Sequence, residues 1–388
     1  MKLHIVSFAI PYPADYGGVI DVFYKIKALS ELGIEITLHC FEYGERKLQP
    51  ELETYCRTVY YYKRRRDLFQ QFSFTPFIVS TRKNKSLLQN ILMDDAPILF
   101  EGLHSCAFIN SVVLKSRKKF VRMHNVEWQY YFNLAMSEKN IFKKIFFKIE
   151  SARLKFFEKK IIPATEKIFF ISPEDEKYFL EKFIYPKIKS EIIFPFHPYV
   201  LNFTENMENE KKYFFFHGNL SVPENENSVR EIILNIFSDT RTTSIPFLVA
   251  GKSPSASFKN FLSKFLNVEL IENPSDDALQ KLSQHAVAHI LHVENSAGIK
   301  LKLIRSLAEN QNVFAHRNLL PSESWTQYFI VFNSWRELKT EITHFNFDVI
   351  NPEIFALRKK LFEGILDNEM NAKKIMESIF FESYENSQ

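Results

Sequence analysis

The apolar positions near the start of the chain alternate between two periods. Residues 2–10, KLHIVSFAI, form a continuous apolar and β-branched run, the pattern of a buried strand. A turn-rich loop, PYPADYGG, follows. VIDVFYKIKALSELG then switches to helical spacing through Val19, Val22, Phe23, Ile26 and Leu29, and stops at Gly33. IEITLHCF reads as the next strand. Strand, loop, helix and strand make a βαβ unit of a parallel sheet. Further strands are expected at APILFEG (96–102), KFVRMH (119–124) and KIFFIS (167–172), each followed by a helix-compatible segment.

A polar stretch, NFTENMENEKK (202–212), is the best linker in the chain. Beyond it a second α/β series begins at KYFFFHGNL (212–220). It continues through IPFLVAG (245–251), NVELIEN (267–273), AVAHILHV (286–293) and NVFAHR (312–317). The pattern predicts two Rossmann-like, doubly wound α/β domains facing a cleft. In such domains ligands sit beyond the carboxyl ends of the strands. No short-period repeat marks a solenoid or propeller.

Composition narrows the class. At 388 residues, 46% hydrophobic and 25% charged, the chain has the make-up of an ordinary two-domain globular protein. Cys40, Cys56 and Cys106 are too few for a disulfide scaffold and lack zinc-ligand spacing, so reduced thiols in a cytoplasmic setting are expected. The N-terminal apolar run meets Pro11 and Pro13, too early for a signal peptide, and no apolar stretch reaches about 18 residues, the length of a membrane span. The net charge of +4 hides an asymmetry. Residues 1–200 carry 31 Lys and Arg against 22 Asp and Glu, whereas residues 201–388 carry 19 against 24. Two domains with different partners suit that split.

Several segments carry candidate chemistry. Gly17-Gly18 lies between a buried strand and a helix, where backbone amides and the helix dipole attract anions; neither the G-x-G-x-x-G fingerprint nor a Walker loop is present. His124 ends a strand in VRMHNVEWQYY, placed to hydrogen-bond a sugar or move a proton; Asn125 and Glu127 lie close by, and Glu127 equally suits a helix cap. Gly218-Asn219 forms a turn between a strand and a helix. Ser296, Gly298 and Ile299 stand before a helix, with Lys300 and Lys302 immediately after, an arrangement suited to a diphosphate. Residues 139–160, KNIFKKIFFKIESARLKFFEKK, hold eight Lys or Arg against two Glu, with Phe142, Ile145, Phe146, Ile149, Ala152 and Phe156 on one helical face. Such a helix either lies on an anionic membrane surface or packs its apolar stripe on the sheet. Asp94-Asp95 and Asp276-Asp277 read as caps and turns, not as a metal site. No nucleic-acid surface is marked.

In order and spacing these pieces resemble the GT-B glycosyltransferases of the retaining "group 1" family over essentially the whole chain. The resemblance is carried by PYPADYGGVIDVFYKIKALSELGIEITLHC, HNVEWQYYFNLA, KIFFISPEDEKYFL, FFFHGNLSVPENENSVREII, PFLVAGKSP and GIKLKLIRSLAENQNVFAH. It implies an acceptor-side domain over residues 1–203 that includes a C-terminal helix at about 370–388, and a nucleotide-sugar domain over 204–369. Gly17 and Gly18 match the glycine loop near donor phosphates and acceptor. His124 matches a cleft histidine that contacts the transferred sugar. Gly218-Asn219 matches the first turn of the donor domain, and Gly298, Ile299, Lys300 and Lys302 match the diphosphate segment.

The same comparison shows departures. Arg305 stands where the family has a ribose-binding glutamate, and Ala297 where it has a second acid; the Gly and Pro of the next turn are Asn310 and Asn312. Arginine only donates hydrogen bonds, so the exchange removes a bidentate contact to two ribose hydroxyls. The resemblance thus implies a hexosyltransferase that uses a UDP- or GDP-sugar donor, a saccharide or lipid-linked acceptor, no metal and no cofactor, in synthesis of a surface polysaccharide or glycolipid. The exchanged acids favour a second reading, a GT-B-fold binding or partner subunit without activity. A cytoplasmic protein, peripheral on the inner face of the membrane, is expected.

Overall fold

The computed structural model describes residues 1–44, 46–65, 73–138, 140–183, 189–202, 213–239, 242–293, 299–310, 312–345 and 352–381. The chain divides into two compact units, Met1–Pro198 with Ile365–Gln388, and Tyr199–Gly364. The expected linker falls largely outside the described residues.

The first unit is built on a seven-stranded sheet. Its strands are β1 (Lys2–Ser7), β2 (Glu35–Glu42), β3 (Thr58–Lys63), β4 (Ile98–Glu101), β5 (Lys119–Met123), β6 (Lys167–Phe170) and β7 (Ser190–Ile192), in the order β3-β2-β1-β4-β5-β6-β7 and parallel at every pairing. Both faces are buried. Along β4, Ile98 and Phe100 join one apolar cluster and Leu99 the other; along β6, Ile168 and Phe170 separate from Phe169 in the same way. Alternation with no polar face explains why the central strands read as continuous apolar runs. The C-terminal helix Asn368–Phe380 packs on the first helix, Gly17–Glu31, and places Ala372, Ile375 and Ile379 in the second cluster.

The second unit repeats the plan with β8 (Phe214–Asn219), β9 (Phe247–Lys252), β10 (Val268–Glu272), β11 (Ala288–Leu291), β12 (Val313–His316) and β13 (Ile330–Phe332), ordered β10-β9-β8-β11-β12-β13 and again all parallel. Phe214 and Phe216 enter one cluster, and Phe215 lies in the cluster on the other side. Two doubly wound parallel sheets are therefore present, as the hydrophobic periods predict.

Of the two packings open to helix Ile141–Ile161, the structure excludes the one in which its stripe packs on the sheet. Its buried residues are Glu150, Ser151, Leu154, Glu158 and Ile161, while Phe142 is 80% exposed and Phe156 61%. The apolar stripe does not pack on the sheet. Phe146 leaves that stripe: it is half-buried, with its ring against Phe77 and Phe147.

Candidate functional site

In the first unit the residues at the carboxyl ends of β1, β4 and β5 converge. A Cβ on Gly18 would lie 2.8 Å from the Phe8 ring, so glycine is what lets the start of the first helix approach this aromatic side chain. Phe8 in turn lies 5.5 Å, ring to ring, from His104 and from His124. The first helix begins at Gly17 with no side-chain cap and no acid in its first turn, which leaves its leading amides free of a competing carboxylate.

His124 sits on a buried charge cluster. Its Nε2 is 3.1 Å from Glu101 and its Nδ1 3.8 Å from Asp21. Lys25 donates to both Asp21 and Glu101 at 2.9 Å, and Arg122 pairs with Asp21 at 3.1 Å. Burial alone would raise the Asp21 carboxyl; Arg122 and Lys25 overcome it and hold the group well below the usual carboxylate range. Asp21, Glu101 and His124 are the one set among the described residues whose ligand atoms could share a metal ion. The Lys25 ammonium already touches both carboxylates, so two acids are balanced by two of the chain's own cations. Such a set is a poor fit for a divalent ion.

Other polar groups stand near this region. Arg82 is buried, donates to the Phe8 carbonyl, and is pushed down to about 9 by burial and the charge of Arg64. Glu127 opens the helix Glu127–Ser137, and burial pushes its carboxyl up to about 7 against a hydrogen bond from Asn125.

In the second unit, Gly218 and Asn219 are the last two residues of strand β8 rather than the expected turn, and Asn219 is linked to Lys302. Asn225 donates to the Asn219 carbonyl at 2.8 Å and accepts from the Lys302 ammonium at 3.2 Å. Gly218 pairs in register with Gly251, and a Cβ on Gly251 would fall 2.1 Å from the Gly218 carbonyl, so only glycine fits there. Lys300 is the N-cap residue of helix Leu301–Glu309, which has neither a side-chain cap nor an acid in its first turn. Its ammonium is 3.9 Å from Glu224. Among the described residues Lys302 forms no ion pair, and its ammonium lies over the Phe216 ring. Desolvation, then the neighbouring Lys300, brings its pKa down to about 8. Ile299 is buried beside them; Ser296, Ala297 and Gly298 lie outside the described residues.

Two histidines here escaped the sequence reading. His217 on β8 and His292 just after β11 are buried, and His217 Nε2 and His292 Nδ1 have no hydrogen-bond partner among the described residues. Burial lowers both, His292 to about 4, so they stand as neutral imidazoles. Their signal was a polar residue closing an apolar run, in FFFHG and AHILH.

Arg305 is turned into the unit. Its Nε donates to the Glu309 carboxylate at 2.9 and 3.1 Å, and its guanidinium reaches the Asp276 carbonyl at 3.3 Å. The arginine is thus neutralised by its own helix, four residues on. Asn310 and Asn312 have equally local duties. Asn310 donates to the carbonyls of Ser283 and Ala286 and accepts from the Asn312 amide, and Asn312 donates to the Val287 carbonyl. Asn310 is extended, with φ −145°, so this turn has no need of glycine.

No protein-family profile matches the chain. A curated relative from Klebsiella pneumoniae, described as an uncharacterized 44.6 kDa protein in the cps region, is 26% identical over 98% of this chain and 100% of its own length. Among solved structures, TarM matches with a TM-score of 0.70 at 12% identity, covering 98% of both chains. A UDP-forming α,α-trehalose-phosphate synthase from Burkholderia xenovorans, in complex with glucose-6-phosphate, matches at 0.64 and 10% identity, covering 97% of this chain and 99% of that one. The chain shares its fold with these GT-B glycosyltransferases over nearly its full length.

Proposed function

We propose that the protein is a retaining hexosyltransferase, moving a sugar from a nucleoside-diphosphate donor to a saccharide or lipid-linked acceptor in surface-polysaccharide or glycolipid synthesis. The observation that carries this reading is the second unit's cationic cluster. A desolvated ammonium with no ion-pair partner, a helix start without a side-chain cap, and one ring nitrogen on each of two buried histidines without a hydrogen-bond partner, all among the described residues, lie at strand ends of a fold shared with glycosyltransferases. In this reading, breaking the bond between the sugar's anomeric carbon and the β-phosphate oxygen leaves the electron pair on that oxygen. One negative charge is added to a diphosphate that already carries two, and Lys300, Lys302 and the helix amides would stabilise it where it develops. In this reading the chain's own cations meet that charge without a metal ion. The curated relative's description, a protein in a cps region, supports the polysaccharide context.

On the acceptor side, His124 is a positioned rather than a free group, because Glu101 and Asp21 hold its ring. Gly17 and Gly18 offer the amides of the first helix. Arg305 does not stand in for a ribose-binding carboxylate; the donor's ribose is held by other groups. The test is nucleoside-diphosphate release from UDP- and GDP-hexoses with and without candidate acceptors, with the product's anomeric configuration read by NMR. Acceptor-dependent release with retention is expected. No release from any donor, together with no donor binding, would leave the binding-subunit reading in its place.

A further inference from the structure

Helix Ile141–Ile161 is built with its usual faces exchanged. Inside, the Glu150 carboxylate accepts from the Phe77 amide at 2.7 Å, Ser151 donates to the Trp128 carbonyl at 2.7 Å, and Glu158 accepts from the Trp128 amide at 3.3 Å. Outside are Ile141 (59% exposed), Phe142 (80%), Ile145 (49%), Ile149 (46%) and Phe156 (61%). At 3.6 residues per turn these five and Ala152 fall within about 100° of one another, a stripe about 20 Å long. The helix carries seven Lys and Arg, and both of its acids are on the buried face. Lys144, Lys148 and Lys155 flank one edge of the stripe and Lys160 the other, where Arg153 pairs with buried Glu150 at 2.7 Å.

We propose that this helix docks the first unit on an anionic lipid surface. The charge pattern selects the occupant. An apolar stripe edged on both sides by cations, with no exposed acid on the helix, matches a bilayer whose acyl region lies between phosphate and carboxylate headgroups. A second copy would bring the same lysines face to face. No helix among the described residues is long and apolar enough to cross a membrane, so the helix lies on the surface. The neighbouring helix Glu127–Ser137 adds exposed Tyr130, Phe132 and Met136 to the same helical pair. Combined with the proposed transferase activity, such docking favours a lipid-linked acceptor over a soluble saccharide; the docking itself does not depend on that activity.

The test is co-sedimentation of the full chain with vesicles of phosphatidylcholine alone or with phosphatidylserine, at low and high salt. The proposal expects binding to the phosphatidylserine vesicles, weakened by salt, and a loss of about tenfold or more in partitioning for Phe142→Ser/Ile149→Ser/Phe156→Ser. Lys148→Glu/Lys155→Glu should lose binding through charge alone, with the stripe intact. Because these side chains are exposed, the thermal midpoint should be unchanged, which separates lost docking from lost folding. Equal partitioning to both vesicles, no partitioning to either, or undiminished binding by the triple variant would overturn it. So would a dimer in light scattering that the triple variant abolishes, which would make the stripe a contact between copies.

Discussion

The two units each gather charge at the carboxyl ends of their strands, but they settle it differently. Around His124, Asp21 and Glu101 face Lys25 and Arg122, so these four charges are paired with one another within the chain. Glu101 Oε1 and the nearby His104 Nδ1 have no hydrogen-bond partner among the described residues, and buried Arg82 donates to carbonyls. Around Lys302 there is no such closure: among the described residues its contacts are Asn225 and the Phe216 ring, and two imidazole nitrogens nearby are unpartnered. A closed cluster fixes geometry, because a buried charge missing its partner is costly. An open cluster with desolvated cations has capacity left for an anion. The contrast fits the proposed division of labour, with positioning at the first unit's cluster and ligand capture at the second's.

The largest expected effect comes from breaking the closed cluster. Asp21 accepts from Lys25, Arg122 and the Phe196 amide, so Asp21→Ala leaves Lys25 with Glu101 alone and buried Arg122 without a carboxylate. A loss of about 3–5 kcal/mol in urea-unfolding stability is expected. A loss below about 1 kcal/mol would show that the cluster is not a closed unit. The next effect tests Arg305. Arg305→Glu places a carboxylate four residues from buried Glu309, so two acids share one site. A loss of about 2–3 kcal/mol is expected, relieved when Glu309→Gln is added. A single variant as stable as wild type would show that Glu309 does not need its arginine.

A smaller effect follows from pH. His289 is buried between the hydroxyls of Ser283 and Ser306, and burial lowers its pKa to about 3. Its folded value lies below the unfolded one, near 6.5. Its contribution is therefore intact above about 6.5 and is lost as pH falls toward 3, because the unfolded chain takes a proton that the folded chain refuses. About 2 kcal/mol should be gone by pH 5. His289→Gln should flatten that part of the stability–pH curve. An unchanged slope in the variant would refute the assignment.

The sheets were legible because their central strands are buried on both faces. Residues 214–216 (FFF) and 98–100 (ILF) appear as unbroken apolar runs, with glycines close behind them. The strands that escaped notice, β3, β7 and β13, are all sheet edges. Their residues, as in TVYYYK and SEI, are largely half-buried, so neither a solid apolar run nor a clean alternation marks them. The open cluster was partly legible. Lys300 and Lys302 announce themselves at a helix start, whereas His217 and His292 resemble ordinary ends of apolar strands. The closed cluster was invisible as such. Asp21 and Lys25 are four residues apart on a helix whose buried side they share, but Glu101 and Arg122 come from separate strands, and only the fold joins them. Helix Ile141–Ile161 shows the limit of periodicity: it located the stripe but did not say which side faced the core.

The most direct test of the open cluster is calorimetric titration of UDP and GDP into wild type and Lys302→Met at pH 7 and at pH 9. In the proposed site Lys302 would hold an anion through its protonated ammonium, and burial brings its pKa down to about 8. Affinity should be full below pH 8 and should weaken as pH rises through it, by up to about tenfold per unit until the pKa of the bound state is reached. Lys302→Met should bind about tenfold to a hundredfold more weakly at pH 7, lose that pH dependence, and fold at least as stably as wild type. Equal nucleotide affinity in the two proteins at both pH values would contradict the account.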